Sequence, residues 1–364
     1  MFLCIPKTSE MNDAFEPVIT LGETSKLQDI KLENLPFGKY FSDHMLEADY
    51  EDGVWKNVVI RPYQPVSFFP ALSAIHYGQA IFEGIKAFKM ADGGISIFRP
   101  HENLKRFNAS AERMEMPAVP DALFIEGMRR LVRVDKDWVP SFPDHSLYIR
   151  PFMFATDQFL GVRPSETYKF MIILCPSGPF FMEPQRIYVE EHFVRAVAGG
   201  VGFAKAAGNY GAAMHATAQA KKKGFDQVLW TDPYEHKYVQ EIGMMNVFFR
   251  IGEKVITPDL EAGTILGGVT RNSVIALLRE WGVEVEERQV SMEEITEAYD
   301  SGQLREVFGS GTAASISFIR ELSYKGKSMS FDPDAFETAL ALRTAMTEIK
   351  EGRVPDHHGW MLPV

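Results

Sequence analysis

Three prolines and a glycine fall within nine residues near the middle of the chain, Pro176-Ser-Gly178-Pro179-Phe-Phe-Met-Glu-Pro184. A proline fixes its own φ and lacks a backbone donor, so such a stretch breaks helices and sheet ladders alike. It predicts an extended connector. In a chain of 364 residues the break leaves two pieces, each long enough for its own core. The expected organisation is an N-terminal domain over 1–176, an interdomain loop over 177–186 and a C-terminal domain over 187–364.

The two pieces carry different periodicities. Residues 1–36 read as an irregular lead-in. Lys39–Val66 alternates around the turn signal Glu51-Asp52-Gly53, which predicts antiparallel strands with Val58-Val59-Ile60 as one core. Gln79–Gly84 reads as a short helical or strand piece. Lys86–Met90 and Ile95–Phe98 flank Asp92-Gly93-Gly94 and predict a hairpin. His101–Met114 places Leu104, Phe107, Ala111 and Met114 on one helical face, and Asp121–Asp135 predicts a second helix capped by Asp121. Ser146–Ala155 and Lys169–Cys175 read as strands, the second apolar enough to be central. Beyond the connector, strands at Ile187–Val189, Gln227–Thr231, Met245–Ile251 and Glu306–Gly309 alternate with helices. Those helices are read at Tyr210–Gly224, Ser273–Trp281 (Val274, Leu277, Leu278 and Trp281 inward), Ser291–Tyr299 and within Phe331–Gly352. The expected class is α/β (α+β) in two domains.

A net charge of −11 argues against nucleic acid or an anionic membrane as the main partner. The two cysteines, Cys4 and Cys175, lie far apart, which fits a reducing compartment and excludes a cysteine-built zinc site; no metal is expected. Met1–Asn12 lacks the apolar core of a signal peptide and no run is long enough to span a bilayer, so a cytoplasmic protein is expected.

Lys205 lies among Gly199, Gly200, Gly202, Ala204, Ala206, Ala207, Gly208 and Gly211, with Tyr210 five residues on. Small residues let a backbone or a flat ligand approach closely. The lysine is either a surface-loop residue beside a tight turn or an amine used as a nucleophile toward a carbonyl. Gly267-Gly268-Val269-Thr270 runs into a predicted helix and offers N–H groups and a hydroxyl to an anion. Gly309-Ser-Gly-Thr312-Ala313-Ala314 follows a strand and offers a second such nest. Its loose dinucleotide fingerprint lacks the βαβ unit that would give it meaning. Glu241 opens an apolar segment and is either an exposed edge residue or buried and paired. Arg106 lies on or beside the polar face of its helix. Tyr148 and Arg150 share one face of a strand and suit a carboxylate if that face lines a pocket.

Several stretches follow one another in a familiar order: Phe37-Gly-Lys-Tyr-Phe-Ser-Asp-His-Met45, His76-Tyr77 with Phe82-Glu83-Gly84, Tyr148-Ile-Arg150-Pro, Lys205-x-x-Gly-Asn-Tyr210, Glu241-Ile-Gly-x-Met-Asn246, Gly268-Val-Thr-Arg271, Phe308-Gly-Ser-Gly-Thr312 and the closing His358-Gly-Trp-Met361. Together they resemble the branched-chain amino acid aminotransferases, pyridoxal-phosphate enzymes of fold type IV. The resemblance runs from about Phe37 to about Tyr324.

It implies a small N-terminal and a larger C-terminal domain, with pyridoxal 5'-phosphate held between them, in a homodimer. The implied reaction is ping-pong amino transfer between L-leucine, L-isoleucine or L-valine and 2-oxoglutarate. Lys205 is implied as the Schiff-base lysine and proton-transfer base, Glu241 as partner of the pyridine nitrogen and Tyr210 as donor to the phenolate oxygen. Arg106, Val269, Thr270 and Thr312 are implied at the phosphate. Tyr77, Tyr148, Arg150 and the Thr312-Ala313 backbone are implied at the substrate carboxylates, and Phe37, Phe82 and Phe180 around the apolar side chain. Met244 stands where several members have a threonine, and Ala314 and Ser317 stand where mammalian members carry a redox cysteine pair. The rivals are a fold-type-IV relative acting on D-amino acids or aminodeoxychorismate, a nicotinamide oxidoreductase built on Gly309–Ala314, and a non-catalytic carrier of pyridoxal phosphate.

Overall fold

The computed structural model describes residues 15–33, 35–180 and 183–364, so expectations that fall on Cys4, Phe181 and Met182 lie outside the described residues. The chain divides into two units, Met1–Gly178 with Gly359–Val364, and Pro179–His358.

The first unit contains β1 (Val18–Ile19), β2 (His44–Glu51), β3 (Val54–Pro62), α1 (Ser73–Tyr77), β4 (Ala80–Phe82), β5 (Ile85–Lys89), β6 (Ile95–Phe98), α2 (Pro100–Arg113), α3 (Gly127–Val134), β7 (Ser146–Ala155) and β8 (Tyr168–Ser177). The second contains β9 (Gln185–Val189), α4 (Ala207–Lys222), β10 (Gln227–Thr231), β11 (Val239–Ile242), β12 (Met245–Ile251), β13 (Lys254–Thr257), α5 (Val269–Glu280), β14 (Val285–Glu287), α6 (Met292–Asp300), β15 (Leu304–Gly311), β16 (Ser315–Tyr324), β17 (Lys327–Ser330) and α7 (Thr338–Lys350). The last strand, β18 (Met361–Pro363), returns to the first unit and pairs with β6.

In the first sheet the strand order is β1-β3-β2-β8-β7-β5-β6-β18, with β4 also paired to β7. The apolar strand β8 is central, as its composition predicts. Alternation divides β7 between two faces. Leu147, Ile149, Met153 and Ala155 enter a core shared with Phe107 of α2 and Met128 and Leu131 of α3. The rings of Phe107, Phe124 and Phe170 meet there with centroids 5.4–5.8 Å apart. Tyr148 and Arg150 are therefore left on the opposite face. The second sheet has the order β11-β10-β9-β16-β15-β12-β13-β14, with β17 on β16. Its core includes Ile187, Val247, Phe249, Val307 and Ile319, closed over by Ile295 of α6.

Two local expectations are corrected. Asp121 does not cap a helix: Phe124 N–H already donates to Pro120 O, so the helical turn begins before Asp121, whose own φ of −54° is helical. Trp281, the residue just after the end of α5 at Glu280, is 42% exposed and not inward. At Gly309–Ala314, Gly309–Gly311 end β15 and Thr312–Ala314 turn into the antiparallel strand β16, in keeping with the missing βαβ unit. That removes the structural basis for a dinucleotide fingerprint. Among the described residues no helix is long and apolar enough to cross a membrane.

Candidate active site

Within the second unit, Lys205 is half-buried and lies immediately before α4. Asn209 staples the preceding loop by donating to Val201 O at 2.9 Å and Ala204 O at 3.0 Å. One helical turn into α4, the Tyr210 hydroxyl accepts a hydrogen bond from Lys205 Nζ at 2.8 Å. The amine and the phenol thus share one position in space, although the sequence spacing alone leaves Lys205 open to a surface reading.

Glu241 is 3% exposed. A carboxylate at that depth needs partners, and the chain supplies them. Its Oε2 lies 2.9 Å from Arg195 Nε. Its Oε1 accepts from Leu266 N–H at 2.8 Å and from Asn246 Nδ2 at 3.4 Å. Arg195 also donates to Thr264 O at 2.7 Å and to Gly202 O at 3.2 Å, so one guanidinium ties Glu241 to two loops.

Register then aligns three adjacent strands. Glu241 of β11 is opposite Asn246 of β12, and Asn246 is opposite Ser310 of β15. Thr312 and Ala313 follow Ser310 in the turn to β16. On the other side of Asn246, Gly268 starts α5, where Val269 and Thr270 are buried. A Cβ on Gly268 would lie 2.1 Å from Asn246 Oδ1, so only glycine allows this approach. The Ser310 hydroxyl is buried with no hydrogen-bond partner among the described residues. Met244 is exposed in the turn between β11 and β12. Phe180 is half-buried ahead of β9.

The first unit carries a second cluster. Arg150 Nη2 donates to the Tyr148 hydroxyl at 2.7 Å. Its guanidinium lies 4.6 Å from the centre of the Phe82 ring and 5.2 Å from that of Tyr148, a cation–π sandwich. Phe37 meets Tyr148 edge-on, with centroids 4.9 Å apart. Arg150 Nε is buried without a hydrogen-bond partner among the described residues. Lys86 of β5 pairs in register with Tyr148, and burial pushes its amine down to about 8, partly offset by Asp144.

Arg106 is not a solvated helix arginine. Its Nε and Nη2 donate to the two oxygens of Glu83 at 2.7 and 2.8 Å, and Glu83 is wholly buried and also accepts from Asn103 Nδ2 at 2.8 Å. Tyr77 ends α1 on an exposed face, where its hydroxyl donates to Leu160 O.

Sequence reasoning missed Arg195, Asn246, Lys86 and the role of Glu83. For Arg195 the only signal was indirect: a buried Glu241 demands a cation. Glu83 and Lys86 carried a more direct one, being charges inside apolar strand text.

The family model for amino-transferase class IV matches residues 80–322. A probable branched-chain-amino-acid aminotransferase of Staphylococcus aureus (strain N315) is 49% identical over 336 residues, which cover 91% of this chain and 93% of that protein. The branched-chain-amino-acid transaminase 1 of Bacillus subtilis (strain 168) is 47% identical, again over 91% of this chain, and over 94% of its own length. Among solved structures, the branched-chain amino acid aminotransferase of Escherichia coli superposes with a TM-score of 0.72 at 25% identity, covering 88% of this chain and 98% of that one. The T.th. branched-chain amino acid aminotransferase, in complex with N-(5'-phosphopyridoxyl)-L-glutamate, gives 0.70 at 28% identity, covering 86% of this chain and 97% of that one. The Lys205–Tyr210 pair and the buried Glu241 thus belong to a chain related along most of its length to transaminases of one kind. The chain is a fold-type-IV member of the class IV aminotransferases, in their branched-chain-amino-acid aminotransferase family.

Proposed function

We propose that the protein moves the amino group of L-leucine, L-isoleucine or L-valine to 2-oxoglutarate in a ping-pong reaction dependent on pyridoxal 5'-phosphate. The observation that carries this reading is the Lys205 amine held 2.8 Å from the Tyr210 hydroxyl beside the start of α4. The donor set fits the cofactor: an amine and a phenol together, a buried carboxylate, a glycine-opened helix start with Val269 and Thr270, and a turn with Thr312. When bound, the cofactor supplies a carbonyl that takes the substrate amine and a ring that accepts the electron pair left by the departing Cα proton.

Lys205 Nζ is the base that removes that proton, and Tyr210 accepts a hydrogen bond from the amine and fixes its direction. Glu241 is assigned to the pyridine nitrogen, with Arg195 and Leu266 N–H holding its carboxylate in place. Arg106, oriented by Glu83, is assigned to the phosphate, as are Val269, Thr270 and Thr312. Tyr148, Arg150, Tyr77 and the Thr312-Ala313 backbone take the substrate carboxylates. Phe37, Phe82 and Phe180 form the apolar wall. The Phe82–Arg150–Tyr148 sandwich supports dual substrate use, because aromatic faces suit a branched aliphatic chain and the guanidinium suits the distal carboxylate of glutamate. Residues 1–176 and 187–364 are assigned as the two domains, the returning strand Met361–Pro363 excepted, joined by 177–186, in a cytoplasmic homodimer with no nucleic-acid or membrane partner.

The test is transfer from L-leucine to 2-oxoglutarate, followed as L-glutamate formed. The native protein with added cofactor should turn over L-leucine and not D-alanine, and Lys205→Ala should lose activity by at least about 100-fold. Turnover that survives Lys205→Ala, or a preference for D-alanine, would refute the assignment.

A further inference from the structure

Lys350 is the last residue of α7 and only 7% exposed. A buried ammonium is costly to desolvate, and an apolar side chain would fill the same space at lower cost. Its Nζ donates to the Ser315 hydroxyl at 2.9 Å. Ser315 is the first residue of β16 and has φ of +57°, a left-handed conformation that residues other than glycine seldom adopt. It closes the turn from Gly311 that carries Thr312 and Ala313. A residue in this conformation persists where its surroundings hold it, and the Lys350 contact is such a hold.

The opposite end of α7 is tied to the same hairpin. Glu306 of β15, 2% exposed, accepts from the backbone N–H groups of Glu337 at 3.1 Å and Thr338 at 2.9 Å with Oε1, and of Ala339 at 2.8 Å with Oε2. Arg250 lies 2.9 Å from the same carboxylate. A 13-residue helix is about 20 Å long. The strand from Glu306 to Gly311 covers a similar distance, about 17 Å. The helix is therefore fastened to β15 near one end of that strand and to its turn at the other.

We propose that Lys350 is a positioning residue for the reaction. Through Ser315 it fixes the Gly311–Ser315 turn, with α7 as the strut anchored on Glu306, so that the Thr312 hydroxyl and the turn's N–H groups are preset for the anionic groups they receive. The inference rests on the assignment of Thr312 and Ala313 to cofactor phosphate and substrate carboxylate.

The test uses the full chain stripped of cofactor, with Lys350→Met, Ser315→Ala, both together, Lys350→Arg and Thr312→Val. Pyridoxal 5'-phosphate affinity is titrated by absorbance, and KM and kcat are then measured for L-leucine with 2-oxoglutarate. Lys350→Met and Ser315→Ala should each raise the cofactor Kd and the KM for 2-oxoglutarate by about tenfold. In both, kcat should stay within about twofold, and the double variant should be no worse than either single change. Lys350→Arg should recover part of the loss. Unchanged Kd and KM with a lowered melting temperature would show Lys350 to be only a helix anchor and overturn the proposal. So would additive effects of the two changes. Should Lys350→Met fail to fold, Ser315→Ala decides alone, since it leaves the lysine in place and removes only the hydroxyl that accepts from it. Thr312→Val separates the two levels: if it leaves Kd unchanged, the assignment of the turn fails and the proposal with it. If it raises Kd while Ser315→Ala does not, the strut alone fails.

Discussion

The residue with the most at stake outside Lys205 is Arg195. Its side chain is 8% exposed and directly paired with that of buried Glu241. Removing one member of a buried pair leaves the other charge unpaired, at a cost of about 3–5 kcal/mol. Arg195→Met should therefore lower the melting temperature clearly and weaken cofactor binding. A variant as stable as the native chain would show that Glu241 needs no cation. Lys86 gives a pH-dependent signal. Its folded-state value of about 8 is below the ordinary lysine value of 10.5. Between those values the unfolded chain binds the extra proton, so this group makes stability rise as pH climbs from about 8 toward 10.5. Burial raises the Cys175 thiol and the Tyr168 phenol, which act in the opposite sense at high pH. The difference between native protein and Lys86→Met isolates the lysine. Denaturant unfolding at pH 8 and pH 10 should show the variant's stability advantage shrinking as pH rises, and a constant difference would contradict the assignment. Lys205 stood out in the sequence because its surroundings are so small, but spacing alone left it open to a surface reading, and the roles of Lys205 and Tyr210 came from the family resemblance. Arg195 was not, since it reaches Glu241 from an irregular loop with no periodicity to place it.

Elements position these residues through close backbone approach. α5 can start beside Asn246 only because Gly268 has no side chain. Gly268→Ala forces apart Asn246 and the start of α5, an overpacking of about 1–3 kcal/mol. It should lower the melting temperature and weaken pyridoxal phosphate binding together, read by thermal unfolding and by titration of the cofactor-free protein. Retained affinity would mean that α5 does not form the anion site. Strands and helices of strong periodicity, such as β7, β8 and α2, were legible from local pattern. Ends of elements were not: Asp121 and Trp281 were misjudged because each lies at a boundary where one turn more or less reverses its direction. Nor could local pattern reveal that β9 pairs with β16, since that pairing joins strands far apart in sequence.

At the scale of the whole molecule, the first unit exposes Phe69, Ile75, Leu160 and Val162, the last of them 87% accessible. Tyr77 is joined to this surface by its bond to Leu160 O. Exposed apolar side chains of this kind suit the subunit contact of the proposed homodimer. Light scattering should give twice the 41.1 kDa of one chain. Leu160→Asp with Val162→Asp should give a single-chain mass and lose activity, because Tyr77 shares the surface; an active monomer would argue against both the dimer and the role of Tyr77. The division of the chain near the proline-rich stretch is visible in the sequence. The return of the C-terminus was not: Trp360 packs edge-on against Phe98 and under Arg99, a contact that only the folded first unit creates.

The most direct test of the central claim is a single half-reaction. The cofactor-loaded protein is mixed with L-leucine and no 2-oxo acid, and the visible band and the 2-oxo acid released are both followed. The ping-pong reaction with Lys205 as proton carrier predicts a shift of the band, up to one equivalent of branched-chain 2-oxo acid per chain, no response to D-alanine and no release from Lys205→Ala. Release that requires 2-oxoglutarate to be present, or that persists without Lys205, would contradict it.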